Sequence, residues 1–174
     1  MKSPLLRHAA TYALYIGLVL IVLSLLDYLL GFYEKNLAFK IFTYISVIAC
    51  IVWATIQYRD KEKGGFLSYG DSVGYGVLLS LFYGIISAVF MVIFVTYIDT
   101  HYFERTLDIT RELFYESGRY TEEQIDALMV WQEKFNGPVF LFIGTIIRLL
   151  LGALVVSLIA SIFIKRNKPM FYNE

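Results

Sequence analysis

Residues 72–98 read SVGYGVLLSLFYGIISAVFMVIFVTYI, with no aspartate, glutamate, lysine or arginine anywhere in the run. A helix needs about 20 apolar residues to cross the roughly 30 Å of hydrocarbon in a bilayer, so this stretch alone predicts a membrane span. At 1.5 Å per residue it reaches roughly 40 Å, which means tilting or projecting beyond the lipid. The polar and aromatic residues at its far end, Thr96, Tyr97, Asp99, Thr100, His101 and Tyr102, favour projection. Ser72, Gly76, Ser80, Gly84 and Ala88 recur every fourth position and form one slowly drifting stripe on a helix. Such a stripe lets a second helix backbone come close.

The composition agrees with a membrane setting. A chain of 174 residues that is 58% hydrophobic, with a mean hydropathy of +0.62, is too apolar for a soluble domain of this length. Formal net charge is zero, so no overall basic or acidic bias points to nucleic acid or an anionic partner. The 14 Tyr and 14 Phe fit membrane interfaces and bundle packing, because no basic groove accompanies them for stacking on bases. A single cysteine, Cys50, inside an apolar run excludes an intramolecular disulfide and a multi-cysteine metal site.

Three more runs are long enough to span, giving spans at about 9–31, 37–57, 72–98 and 138–164 in a single membrane domain covering residues 1–174. The first follows Lys2, Arg7 and His8 but is longer than the apolar core of a signal peptide and ends in no small-x-small cleavage site, so it reads as an uncleaved span. Gly31-Phe32-Tyr33 closes it in an aromatic belt, and the short turn Glu34 to Asn36 predicts an antiparallel pair with span two. Span two ends near Trp53 and Tyr58, followed by the charged connection Arg59-Asp60-Lys61-Glu62-Lys63 and two glycines. Those glycines read as a turn, since no lysine-serine/threonine follows to complete a phosphate loop.

Ser68 and Asp71 have the spacing of a helix cap opening span three. Between spans three and four, residues 102–136 predict an extramembrane helical hairpin. Gly118 supplies the stop of its first helix, and Thr121-Glu122-Glu123-Gln124 is a capping box opening the second. Pro138 suits the first turn of span four. Gly144 and Gly152 bracket Arg148 there, and Ala153, Ser157 and Ser161 continue a small-residue row. Because span four has its own small-residue rows, the stripe on span three is expected to pack within the chain rather than form a dimer face. The fold class is therefore all-α: a polytopic four-transmembrane-helix bundle with an outer helical hairpin.

Orientation follows the bases. Lys2 and Arg7, then Arg59, Lys61 and Lys63, then Lys165, Arg166 and Lys168 fall on one side of four spans, against Lys35 and Lys40 at the short turn on the other, where the long loop adds Arg105, Arg111, Arg119 and Lys134 among nine acids from Asp99 to Glu133. By the positive-inside tendency both termini are expected in the cytoplasm.

The entry to span three, Gly65-Phe66-Leu67-Ser68-Tyr69-Gly70-Asp71-Ser72-Val73-Gly74-Tyr75-Gly76, resembles that of a bacterial four-span integral-membrane family of unknown function. The resemblance covers nearly the whole chain: glycine, a nearby aromatic and a small-residue-rich helix at this place, an extramembrane helical segment, and a basic tail after the last span. It implies a bacterial inner-membrane protein and carries over no activity, substrate or catalytic residue.

Two charged groups inside the spans need an explanation. Arg148 lies about 15 Å beyond Pro138, close to the midplane, where an unpaired base costs at least ~2.5 to 3.5 kcal/mol. Asp27 is the only acid within an apolar span, so an intramembrane polar pair of Asp27 and Arg148 is the leading expectation. The alternatives are an Arg148 that snorkels alone and an anion or proton path that uses it. Asp99, His101 and Glu104 cluster outside span three, but with no second histidine near they read as a solvated helix start and not as a metal site.

No catalytic residue, metal or cofactor is assigned. The expected role is non-enzymatic, a structural or interaction component of a membrane assembly whose partners are the lipid bilayer and another membrane protein or a second copy. The alternative is a small transporter or channel component in which Arg148 and Asp27 line a polar path.

Overall fold

A computed structural model describes residues 4–32 and 36–168. Lys2, Tyr33, Glu34 and Lys35, on which the orientation and the first turn partly rest, lie outside the described residues. Among the described residues six α-helices follow one another: α1 (Pro4–Leu29), α2 (Leu37–Glu62), α3 (Tyr69–Ile93), α4 (Tyr102–Ser117), α5 (Glu122–Lys134) and α6 (Pro138–Ile164). A π-helical turn, Phe94–Ile98, extends α3. The protein is all-α, and α1, α2, extended α3 and α6 are each long and apolar enough to cross a membrane.

The helices run beyond the apolar segments at several ends, for local reasons. Pro4 opens α1, where its missing amide hydrogen costs nothing. Asn36 caps α2 by accepting from the Phe39 amide at 3.1 Å. The charged stretch after Tyr58 is not a loop: α2 continues to Glu62, and Gly64 and Gly65 then turn the chain with φ of 60° and 86°, a backbone region glycine enters without strain. The Ser68 hydroxyl accepts from the Asp71 amide at 3.1 Å and donates to the Asp71 carboxylate at 2.8 Å, so the expected cap opens α3.

The chain forms two compact units, one of Met1–Ser87 with Ile146–Glu174 and one of Ala88–Thr145. In the first, α1 packs on α2, and a core of Ala9, Ala13, Ile16, Ile51, Leu79 and Tyr83 joins both to α3. Gly17 lets α3 approach α1, since a Cβ there would lie 2.8 Å from Ile86 Cγ2. Large residues of α2 such as Ile41, Phe42 and Ile45 stay exposed, as expected for a helix turned to lipid.

In the second unit α4 packs on α5. Gly118 ends α4 in the left-handed region at φ 62°. The capping box forms, with the Gln124 amide donating to Thr121 Oγ1 at 3.4 Å and the Thr121 amide to Gln124 Oε1 at 2.9 Å. Ile125 and Met129 are buried. Gln132 Nε2 donates to Thr110 Oγ1 at 3.3 Å, and Asn136 Nδ2 to the Phe103 carbonyl at 3.1 Å. Asp99 was expected at a solvated helix start. It is instead buried at 4% exposure, in an ion pair with Arg105, which offsets the cost of withdrawing a carboxylate from water.

Candidate functional site

The polar and small side chains of α3 and α6 form the most specific constellation in the chain. Ser72, Gly76, Ser80, Gly84 and Ala88 are all buried. Ser161 Oγ donates to Ser72 Oγ at 2.7 Å, a buried hydroxyl pair linking residues 89 positions apart. One turn along, a Cβ on Gly76 would overlap Ser157 Oγ and lie 2.8 Å from Ser157 Cβ. Two turns further, a Cβ on Gly84 would sit 3.9 Å from Ile146 Cα and 4.0 Å from Leu149 Cβ, ordinary contact distances. As the contacts advance along α3 they retreat along α6, so the two helices are antiparallel, with Ser72 against Ser161, Gly76 against Ser157, and Gly84 against Ile146 and Leu149. Close approach of this kind gives packing and hydroxyl bonding in place of the hydrophobic drive that lipid removes.

One end of this unit is tied by backbone bonds. The Leu67 and Arg166 amides each donate to the other's carbonyl at 2.9 Å, joining the chain before α3 to the chain after α6. Arg59 is buried at 8% exposure. It grips the Asp60 carboxylate with two nitrogens, at 2.7 and 3.1 Å, and donates to the Ile164 carbonyl at 3.1 Å. It thereby satisfies a carbonyl that the end of α6 would leave open. A cleft of about 640 Å³ beside these bonds is lined by charges of both signs, among them Glu62, Lys63, Asp71 and Arg166.

His8, which follows Arg7 ahead of span one, forms a second buried cluster. Its Nδ1 shares a 2.8 Å hydrogen bond with the Tyr75 hydroxyl, and its ring stacks on Tyr12 at 4.3 Å. Tyr75 stacks on Tyr58 at 4.3 Å, and Tyr12 meets Trp53 at 5.0 Å, so α1, α2 and α3 meet in a ring-on-ring core. His8 Nε2 is buried without a hydrogen-bond partner among the described residues. The only sequence signal for this cluster was the four-residue spacing of His8 and Tyr12, which places both on one helix face.

Asp27 is half-buried on α1 and Arg148 is exposed on α6, and no ion pair joins them. Arg148 has neither a hydrogen bond nor an ion pair among the described residues. At Gly152, one turn further along α6, no atom of a neighbouring helix lies within 4 Å of where a Cβ would stand. His101 and Glu104 pair at 3.0 Å on the surface, and no group of three or more potential metal ligands occurs among the described residues.

The family model for a protein of unknown function, DUF4199, matches residues 11–166. The chain belongs to this family. No curated protein and no solved structure matches it. The matched region begins within α1 and ends just after α6, so the DUF4199 chain includes all four apolar helices and the α4–α5 hairpin.

Proposed function

We propose that this DUF4199 protein is a non-enzymatic component of a membrane assembly and works by associating with another membrane protein or a second copy. The observation that carries the reading is Arg148. It stands about 15 Å along α6 from Pro138, inside an apolar helix, exposed and without an ionic partner among the described residues. An isolated base at that depth costs at least ~2.5 to 3.5 kcal/mol, and a partner helix presenting a carboxylate would remove most of that cost. Gly152, with open space where a side chain would be, lets such a helix come close. Ser72, Gly76 and Gly84 of α3 do not compete for this role, because they already meet α6 within the chain.

The setting is the bacterial inner membrane with both termini cytoplasmic. Support comes from the pairing of Leu67 with Arg166, which gathers Lys63, Lys165 and Arg166 at one end of the unit.

The test is a photo-crosslinking amino acid placed at Leu151, which is exposed on α6 one turn from Arg148. In native membranes the expected result is a discrete crosslinked species that Arg148→Leu abolishes while the monomer stays folded. A crosslink unaffected by Arg148→Leu, or crosslinks to lipid alone, would overturn the association. Water-soluble thiol reagents reaching cysteines placed along α6 beside Arg148 would favour a polar path instead.

A further inference from the structure

Helix α5 presents two exposed rows, one bordering α4 and one turned away from it. Glu122, Asp126 and Glu133 share one row, with Asp126 lying 3.5 Å from Arg111 of α4. Ala127, Val130, Trp131 and Lys134 follow the i, i+3, i+4, i+7 spacing of another, which Glu123 begins at the N-terminal end of the helix and Phe135 extends at the other. All of this second row is exposed, Trp131 to 63%. A tryptophan, a phenylalanine and a valine left open side by side on so short a helix mark a contact surface.

The same rings show what covers it. Trp131 and Phe135 lie 4.6 Å apart, centroid to centroid, and Phe135 meets Phe140 edge-on at 5.0 Å. Phe140 and its neighbour Val139 are exposed residues in the first turn of α6, a helix apolar enough to span the membrane. Lipid that covers the start of α6 therefore meets Phe135 and then Trp131 without a break.

We propose that the Ala127–Val130–Trp131–Phe135 face of α5 lies on the bilayer surface as an interfacial helix, with its acidic row turned to water. Tryptophan suits the headgroup level, where its ring is apolar and its indole N–H finds polar partners. Lys134 can extend its ammonium toward phosphate while its stem covers apolar surface. Attachment to α6 makes the contact intramolecular, so a small apolar area suffices for an arrangement that a free peptide would hold only weakly. The acids oppose attraction to anionic lipid, so binding to a zwitterionic surface is the expected behaviour.

The protein has two tryptophans, so the emission lost on Trp131→Phe reports Trp131, and Trp53 remains as an internal control. The full chain is reconstituted in phosphatidylcholine vesicles, with brominated acyl chains or with aqueous iodide. The Trp131 emission is expected to be shifted to shorter wavelength and lost to bromine placed near the headgroup end of the chain, at a depth of about 5–10 Å. It is expected to be indifferent to iodide. Quenching by iodide would show a water-facing α5, and protection from both quenchers would show a protein cover such as a second copy; either overturns the proposal. Phenylalanine keeps a ring beside Phe135, and circular dichroism of the variant checks that it folds.

Discussion

The α3–α6 seam and the α4–α5 hairpin are both antiparallel helix contacts, yet opposite chemistry holds them. The hairpin is set by what its residues bond: Thr121 and Gln124 close a capping box, Gly118 ends α4, and Gln132 reaches Thr110. The seam is set largely by what its residues lack. Gly76 has no Cβ, and Ser157 occupies the space. A hairpin assembled from caps can tolerate a lost bond locally. A seam assembled from close approach cannot tolerate an added atom, because both helices must move together to make room.

Four substitutions test this contrast. Gly76→Ala is expected to have the largest effect, a destabilisation of about 1–3 kcal/mol from overpacking, only partly offset by alanine's helix propensity of roughly 1 kcal/mol. Thermal unfolding in detergent measures it. Adding Ser157→Gly should restore much of the loss, since the clashing atoms belong to Ser157. A Gly76→Ala protein as stable as the native one would mean that the two helices are not in close contact.

Next comes Thr121→Ala, expected to cost about 1 kcal/mol confined to the first turn of α5. Hydrogen exchange should quicken at the Gln124 amide and not at α3; acceleration in both places would contradict a local cap. Ser72→Ala should cost about 0.6 kcal/mol, a common value for a hydroxyl bond between membrane helices. The double variant with Ser161→Ala should lose less than the two single losses added, since it leaves no orphan hydroxyl. Additive losses would show that the two hydroxyls do not interact. The smallest effect is expected for Gly84→Ala, whose new methyl meets neighbours at 3.9 and 4.0 Å. Together with Gly76→Ala it calibrates the seam: equal damage from both would rule out a contact that is tight at Gly76 and relaxed at Gly84.

Most of the architecture was legible because its signals are local. Four charge-poor runs mark four spans, and the cap at Ser68, the stop at Gly118 and the box at Thr121 each depend on residues within one helix turn. The internal use of the span-three stripe was also suggested, by the matching small residues of span four. The burial of Arg59 and Asp99 was not. A charged residue near a span end reads as solvated unless its partners are known, and here those are Asp60 with the distant Ile164 carbonyl for one and Arg105 for the other. His8 was missed for the same reason: its Tyr75 partner lies 67 positions away.

The candidate site divides along the same line. Residue order alone puts Arg148 deep within a span, because helix rise and the position of Pro138 settle its depth. It equally determined that Ser72, Gly76, Ser80, Gly84 and Ala88 would share a face, because a helical repeat of 3.6 residues requires it. Which helix that face meets, in what register, and that Arg148 points away from its neighbours emerge only in three dimensions. Those outcomes depend on contacts between residues far apart in the chain, made by atoms that fit or clash only once the helices are side by side.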